Sequence, residues 1–206
     1  FAEGTYRIKG TDRKITLREI IDSHQGDEPH PLNVRTGLKI GSTYPNGCHV
    51  VEVEIDPQTG VTEVVKYTAT DDVGNIINHQ LVEGQLHGGI VQGLGQVLSE
   101  HSRYDPETGQ PLTGSFLDYA MPRSAILRDV QVVEHPIPTA TNPLGAKGVG
   151  EGGNTGSLPA TMGAIIDALG QLGVRHFEMP ATPPRVWSAI QAAKEGNDSA
   201  LAPLQR

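Results

Sequence analysis

The sequence predicts an α+β fold from three observations: a β-hairpin near residue 50, a long glycine-interrupted helix after it, and two C-terminal helices without regular strand–helix alternation. Residues 49–55, His-Val-Val-Glu-Val-Glu-Ile, alternate and are rich in β-branched side chains, as a half-buried strand requires. In the Asp-Pro-Gln-Thr-Gly turn that follows (56–60), Pro57 presets φ and Gly60 permits φ > 0. Residues 61–69 then read as the return strand, which ends in a polar turn at 71–75.

The helix predicted over 81–100 places Val91, Leu94, Val97 and Leu98 on one apolar face. Gly84, Gly88, Gly89, Gly93 and Gly95 interrupt it, each at a cost of roughly 0.5–1 kcal/mol relative to Ala. Such a density requires a compensating close approach, either of another helix or of a ligand, and the spacing alone does not choose. A second Asp-Pro-x-Thr-Gly turn (105–109) leads to a strand candidate at 130–134 and a proline-held loop at 136–143. Helices follow over 155–169, with Met162, Ile165, Ile166 and Leu169 facing a core, and from Thr182 as N-cap, with Pro183 in the first turn and Val186, Ile190 and Ala193 buried. Before the hairpin, 11–21 predicts a short helix bearing Leu17, Ile20 and Ile21, and 24–31 reads as an exposed linker with His24 and His30 facing solvent. The tail beyond Lys194 is expected to fray.

Composition narrows the function classes. A chain of 206 residues makes one large domain or two small ones, and 36% hydrophobic residues with 4% aromatics give it a thin core for its length. The net charge of −8 argues against nucleic acid, whose phosphates draw on a basic patch. No apolar run reaches the roughly 18 residues of a membrane span. A single cysteine, Cys48, excludes an internal disulfide and a multi-cysteine metal site. No signal peptide is visible, and the chain begins with Phe1, which leaves open whether it begins the gene.

The segment 145–154, Gly-Ala-Lys-Gly-Val-Gly-Glu-Gly-Gly-Asn, carries the strongest chemical signal. Its Gly148-x-Gly150-x-x-Gly153 spelling matches a dinucleotide fingerprint, but a proline-rich loop precedes it where that fingerprint needs a strand. Lys147 is followed by Gly148, so the phosphate-binding Gly-Lys-Ser/Thr pattern fails as well. What remains is a glycine loop entering a helix, with free backbone N–H groups, a positive dipole end and the Lys147 cation, which together suit an anion. Glu151 reads either as an ordinary acid at that positive end or as a catalytic carboxylate. Gln85 and Gln92, seven apart, share a helix face and present amides either to solvent or to a ligand. Asp71 and Asp72 read as solvated or as capping nearby N–H groups, and the scattered histidines form no metal-binding spacing.

Several motifs occur together in a fixed order: Tyr-Pro-Asn-Gly-Cys-His-Val (44–50), Asp-Asp-Val-Gly (71–74), Gly-Gln-Leu-His-Gly-Gly-Ile-Val-Gln-Gly-Leu-Gly (84–95), Asp-Tyr-Ala-Met-Pro (118–122), Asn-Pro-Leu-Gly-Ala-Lys-Gly-Val-Gly-Glu (142–151) and Met-Pro-Ala-Thr-Pro-Pro-Arg-Val-Trp (179–187). In that order they resemble the C-terminal part of the molybdenum-binding subunit of the xanthine oxidase, aldehyde oxidase and carbon monoxide dehydrogenase family. The resemblance covers about residues 44–193, taken as the molybdopterin-binding portion, with 1–43 a linker or partial N-terminal segment and 194–206 a tail.

The resemblance implies a molybdenum hydroxylase that oxidises a heterocycle, purine or aldehyde carbon, or carbon monoxide, with water as the oxygen source. It implies that Glu151 is the general base, taking the proton from a molybdenum-bound hydroxyl. Gln85 is similar to the family glutamine that contacts the pterin, and Lys147, Gly148, Val149 and Gly150 to the backbone that passes pterin and metal. As in bacterial relatives, the cofactor is expected to be molybdopterin cytosine dinucleotide, with Asp72 and Gln92 as secondary candidates to line it. Iron–sulfur and flavin groups are expected on partner subunits. His79 stands where relatives usually have Pro, which could alter the entry to the glycine-rich helix. Family subunits are several times longer, so the chain is expected to be either part of a split subunit or a fragment of a longer one. The alternative is a non-catalytic module that folds without cofactor. A cytoplasmic location is expected, with the periplasm as the other possibility.

Overall fold

A computed structural model describes residues 1–39 and 41–196. The chain divides into two units, Phe1–Ile40 and Gly41–Arg206. In the first, strands β1 (Thr5–Arg7) and β2 (Lys14–Thr16) pair antiparallel ahead of helix α1 (Leu17–Ser23). The sequence predicts one helix over 11–21. Instead Thr16 ends a strand and caps the helix, its hydroxyl accepting from Glu19 N while the Glu19 carboxylate accepts from Thr16 N. None of Leu17, Ile20 and Ile21 is fully buried. His24 and His30 are half-buried rather than solvent-facing, with their rings in a T-shaped arrangement.

The second unit holds the hairpin β3 (Asn46–Ile55) and β4 (Thr62–Asp72), helix α2 (His79–Leu98), strand β5 (Val130–Glu134) and helices α3 (Gly152–Gly170) and α4 (Pro183–Lys194). The predicted elements are all present, and the fold is α+β as expected. One relationship was not legible: β5 joins β4 in parallel, Tyr67 opposite Val130, so β4, α2 and β5 form a crossover unit. The hairpin contains a bulge, because Glu52 faces Lys66 while Val53 faces Val64, leaving Val65 extra. The inward face of β4 therefore shifts from Val64 to Tyr67, Ala69 and Asp71.

Two buried clusters hold this unit together. Tyr67, Ala69, Ile90 and Leu94 join the sheet to α2. Ile165, Leu169, Phe177, Val186 and Ile190 join α3 to α4, with Val97 reaching in from α2. The helix after Thr182 begins there as predicted, although the Thr182 hydroxyl makes no capping bond. The expected fraying beyond Lys194 falls largely on 197–206, outside the described residues.

Candidate active site

The glycines of α2 serve two purposes. A Cβ on Gly89 would stand 2.9 Å from Asn154 N and 3.1 Å from the Gly153 Cα, and one on Gly93 would strike Ser157. These residues form a helix–helix crossing with α3, closer than any side chain permits. Gly84 and Gly88 are different, since a Cβ on either meets nothing within 4 Å. They share the exposed face of α2 with Gln85 and Gln92. His79 is the first residue of α2. Asn78 caps α2 by accepting from Leu81 N at 3.0 Å, and His79 Nδ1 lies 2.9 Å from both Glu134 carboxylate oxygens.

The loop that enters α3 is fixed to the end of β4. Asn75 N donates to Gly145 O at 3.0 Å and Asn75 Nδ2 to Leu144 O at 2.8 Å. Asn142 closes the loop on itself, donating to Ala146 O and accepting from Leu144 N. Gly145 makes the turn at φ +64°, with the Asn75 amide occupying the space of any side chain.

Lys147 takes a role the sequence does not reveal. Its ammonium is buried against the Asp72 carboxylate, so the cation expected to face an anionic ligand is already paired. Asp72 is buried rather than solvated, and it does cap N–H groups, accepting from Gly74 N and Ile137 N at 2.9 Å each. Burial alone would raise its carboxyl. The Lys147 ammonium and the two N–H donors outweigh that and hold it at about 2.

Beyond Lys147 the loop opens onto a cavity of about 770 Å³, walled by Asn46, His49 and Asp71 from the hairpin and by Gly148, Gly150 and Glu151 from the loop. The N–H groups of Gly148, Val149 and Gly150 donate to no acceptor among the described residues. Glu151 is the N-cap residue of α3, exposed, and its side chain does not cap the helix. Gln85 comes to the same loop from α2, its Nε2 lying 3.8 Å from where a Gly150 Cβ would be. Glu151, Val149, Gly150 and Gln85 are therefore brought together, whereas Gln92 lies two turns further along α2.

The hairpin side holds residues that sequence reasoning missed. His49 is bonded at both ring nitrogens, Nδ1 at 2.7 Å to Tyr67 Oη and Nε2 at 3.2 Å to Asp71 Oδ2. The signal was available in the alternation of 49–55, which puts His49 on the same face as Val51 and Val53, where a polar ring needs partners. Among the described residues no group of three or more His, Cys, Asp or Glu side chains could hold a metal ion, and no helix is long and apolar enough to cross a membrane.

An anionic ligand fits this arrangement: a glycine-lined loop with unused N–H donors faces a roomy cavity at a helix N-terminus, with a glutamine amide beside it. Residues 1–127 match the family model described as the molybdopterin cofactor-binding domain. The chain belongs to that family, within the molybdenum hydroxylases that include xanthine oxidase, aldehyde oxidase and carbon monoxide dehydrogenase. It is 33% identical over 195 residues to the carbon monoxide dehydrogenase large chain of Hydrogenophaga pseudoflava, covering 90% of this chain and 24% of that one. It is 40% identical over 148 residues to the nicotine 6-hydroxylase large subunit of Paenarthrobacter nicotinovorans, covering 72% of this chain and 18% of the relative. The crystal structure of quinoline 2-oxidoreductase from Pseudomonas putida 86 superposes with a TM-score of 0.69 at 38% identity, over 72% of this chain and 19% of that one. The chain thus spans about a quarter or less of the length of these relatives.

Proposed function

We propose that this chain supplies the catalytic-base portion of a molybdenum hydroxylase that oxidises a heterocycle, purine or aldehyde carbon with water as the oxygen source. The observation that carries the reading is Glu151, an exposed, uncapped carboxylate at the mouth of α3, on the wall of a cavity whose neighbouring surface is bare glycine backbone.

The residues present fit a molybdopterin cofactor, and the resemblance to bacterial relatives favours its cytosine dinucleotide form. The N–H groups of Gly148, Val149 and Gly150 would bind its anionic groups, and the Gln85 amide would contact the pterin. Lys147 would contribute through its backbone, since its ammonium is held by Asp72. The bound cofactor supplies a two-electron acceptor for the substrate carbon. Glu151 would serve as the base that takes a proton from the water-derived oxygen, its carboxylate held on the cavity wall by the loop that enters α3. The remainder of the molybdenum subunit, together with iron–sulfur and flavin chains, completes the enzyme. Relatives about four times as long support this, as do Phe116 and Leu117, left 84% and 94% exposed. A reducing, cytoplasmic setting is consistent with the free and exposed Cys48 thiol.

Metal and pterin analysis of the protein as isolated from its native source, with a mass inventory of accompanying chains, tests this reading. Stoichiometric molybdenum with longer partner chains is the expected result. Protein from molybdenum-replete cells that carries neither metal nor pterin would contradict it.

A further inference from the structure

The inward face of the hairpin carries a chain of polar groups that the proposed chemistry does not use. His49 faces Ala69 across the β3–β4 ladder and so lies diagonally between Tyr67 and Asp71. Its ring is only 4% exposed and the Asp71 side chain 7%. Groups so buried require partners, and here each supplies the next. Burial, and after it the Asp71 charge, pushes the Tyr67 hydroxyl far above its ordinary range, against a smaller opposing effect of Ser157. With the phenol donating to Nδ1, the ring's one N–H would sit on Nε2 and point at Asp71.

This chain meets α3 at two successive turns. Asp71 Oδ1 lies 3.5 Å from where a Cβ on Gly152, the residue after Glu151, would stand. The His49 ring fills the place of any side chain at Gly156, so α3 seats its bare backbone on the imidazole. We propose that His49 is a positioning residue: clamped between Tyr67 and Asp71, it fixes the first two turns of α3 and with them the stance of Glu151. The proposal rests on the reading of Glu151 as the base, and His49 acts through α3 rather than on the substrate.

The test uses the protein as isolated with its accompanying chains, carrying His49→Leu, His49→Gln or Tyr67→Phe. His49→Leu is expected to keep its molybdenum and pterin while kcat falls roughly 10- to 100-fold with KM little changed, the scale of a reacting group misplaced by about an ångström. Amide exchange over residues 152–156 should accelerate, with exchange in α4 unchanged. Glutamine can accept from Tyr67 and donate to Asp71, so His49→Gln should recover most of both properties. Tyr67→Phe keeps the ring packed and removes one bond. It should show the same pattern more weakly, and it replaces His49→Leu if that variant does not fold. Unaltered exchange at 152–156 in the folded variant overturns the proposal, as does an effect confined to KM. Full turnover by Glu151→Gln would instead remove the base reading alone, because the exchange readout does not depend on it.

Discussion

The ammonium of Lys147 is buried against the carboxylate of Asp72, 75 positions earlier in the chain, and this pair ties the end of β4 to the loop that enters α3. Both side chains are nearly sealed, at 9% and 5% exposure. The pair therefore belongs to the class whose disruption strands a charge in the interior.

Asp72→Asn leaves the Lys147 ammonium without its counter-charge. It should destabilise the protein by about 3–5 kcal/mol, the range for removing one partner of a buried pair. Lys147→Met should cost a comparable amount by stranding the carboxylate, which still has the Gly74 and Ile137 N–H groups to accept from. Chemical denaturation of each variant against the parent protein measures both.

The same carboxylate gives stability a pH dependence. Held at about 2 in the folded chain against roughly 3.9 for an unfolded aspartate, it stabilises the fold fully above about pH 4. That contribution disappears as pH falls from about 4 towards 2, where the folded form also takes up its proton. Denaturation midpoints across this window should fall for the parent protein and fall less for Asp72→Asn. Equal slopes would contradict the assignment.

The glycines divide into those that pack against protein and those that do not. Gly93→Ala and Gly156→Ala, which would strike Ser157 and His49, should destabilise by about 1–3 kcal/mol, the usual cost of overpacking. Gly84→Ala and Gly88→Ala meet open space on a helix and should stabilise the protein by about 0.5–1 kcal/mol each. If α2 receives the cofactor on that face, the latter pair should also lower pterin content. Thermal melts and pterin assays on the four variants separate the two groups.

Local pattern made the hairpin, the three long helices and the strand at 130–134 legible, because period and turn chemistry are encoded within each segment. The glycine loop was legible too, since its residue types require an explanation wherever they fold. What could not be read depended on which residues meet across the fold. Lys147 looked like a free cation because Asp72, its partner, is 75 positions away. Asp71 and Asp72 read as solvated or as capping N–H groups, and only the second holds for Asp72; their side-chain partners come from β3 and from the 145–154 loop, out of reach of local pattern. The glycines of α2 could not be sorted until α3 was laid against Gly89 and Gly93. The bulge at Val65 had a faint signal in the consecutive apolar pair Val64 and Val65, which breaks strict alternation.

Glu151→Gln in the cofactor-loaded protein tests the central claim most directly, because the amide keeps the shape of the side chain and cannot take a proton as the carboxylate does. Turnover should fall by several orders of magnitude, with molybdenum and pterin content near the parent level. Undiminished turnover at full cofactor content would contradict the assignment of Glu151 as the base.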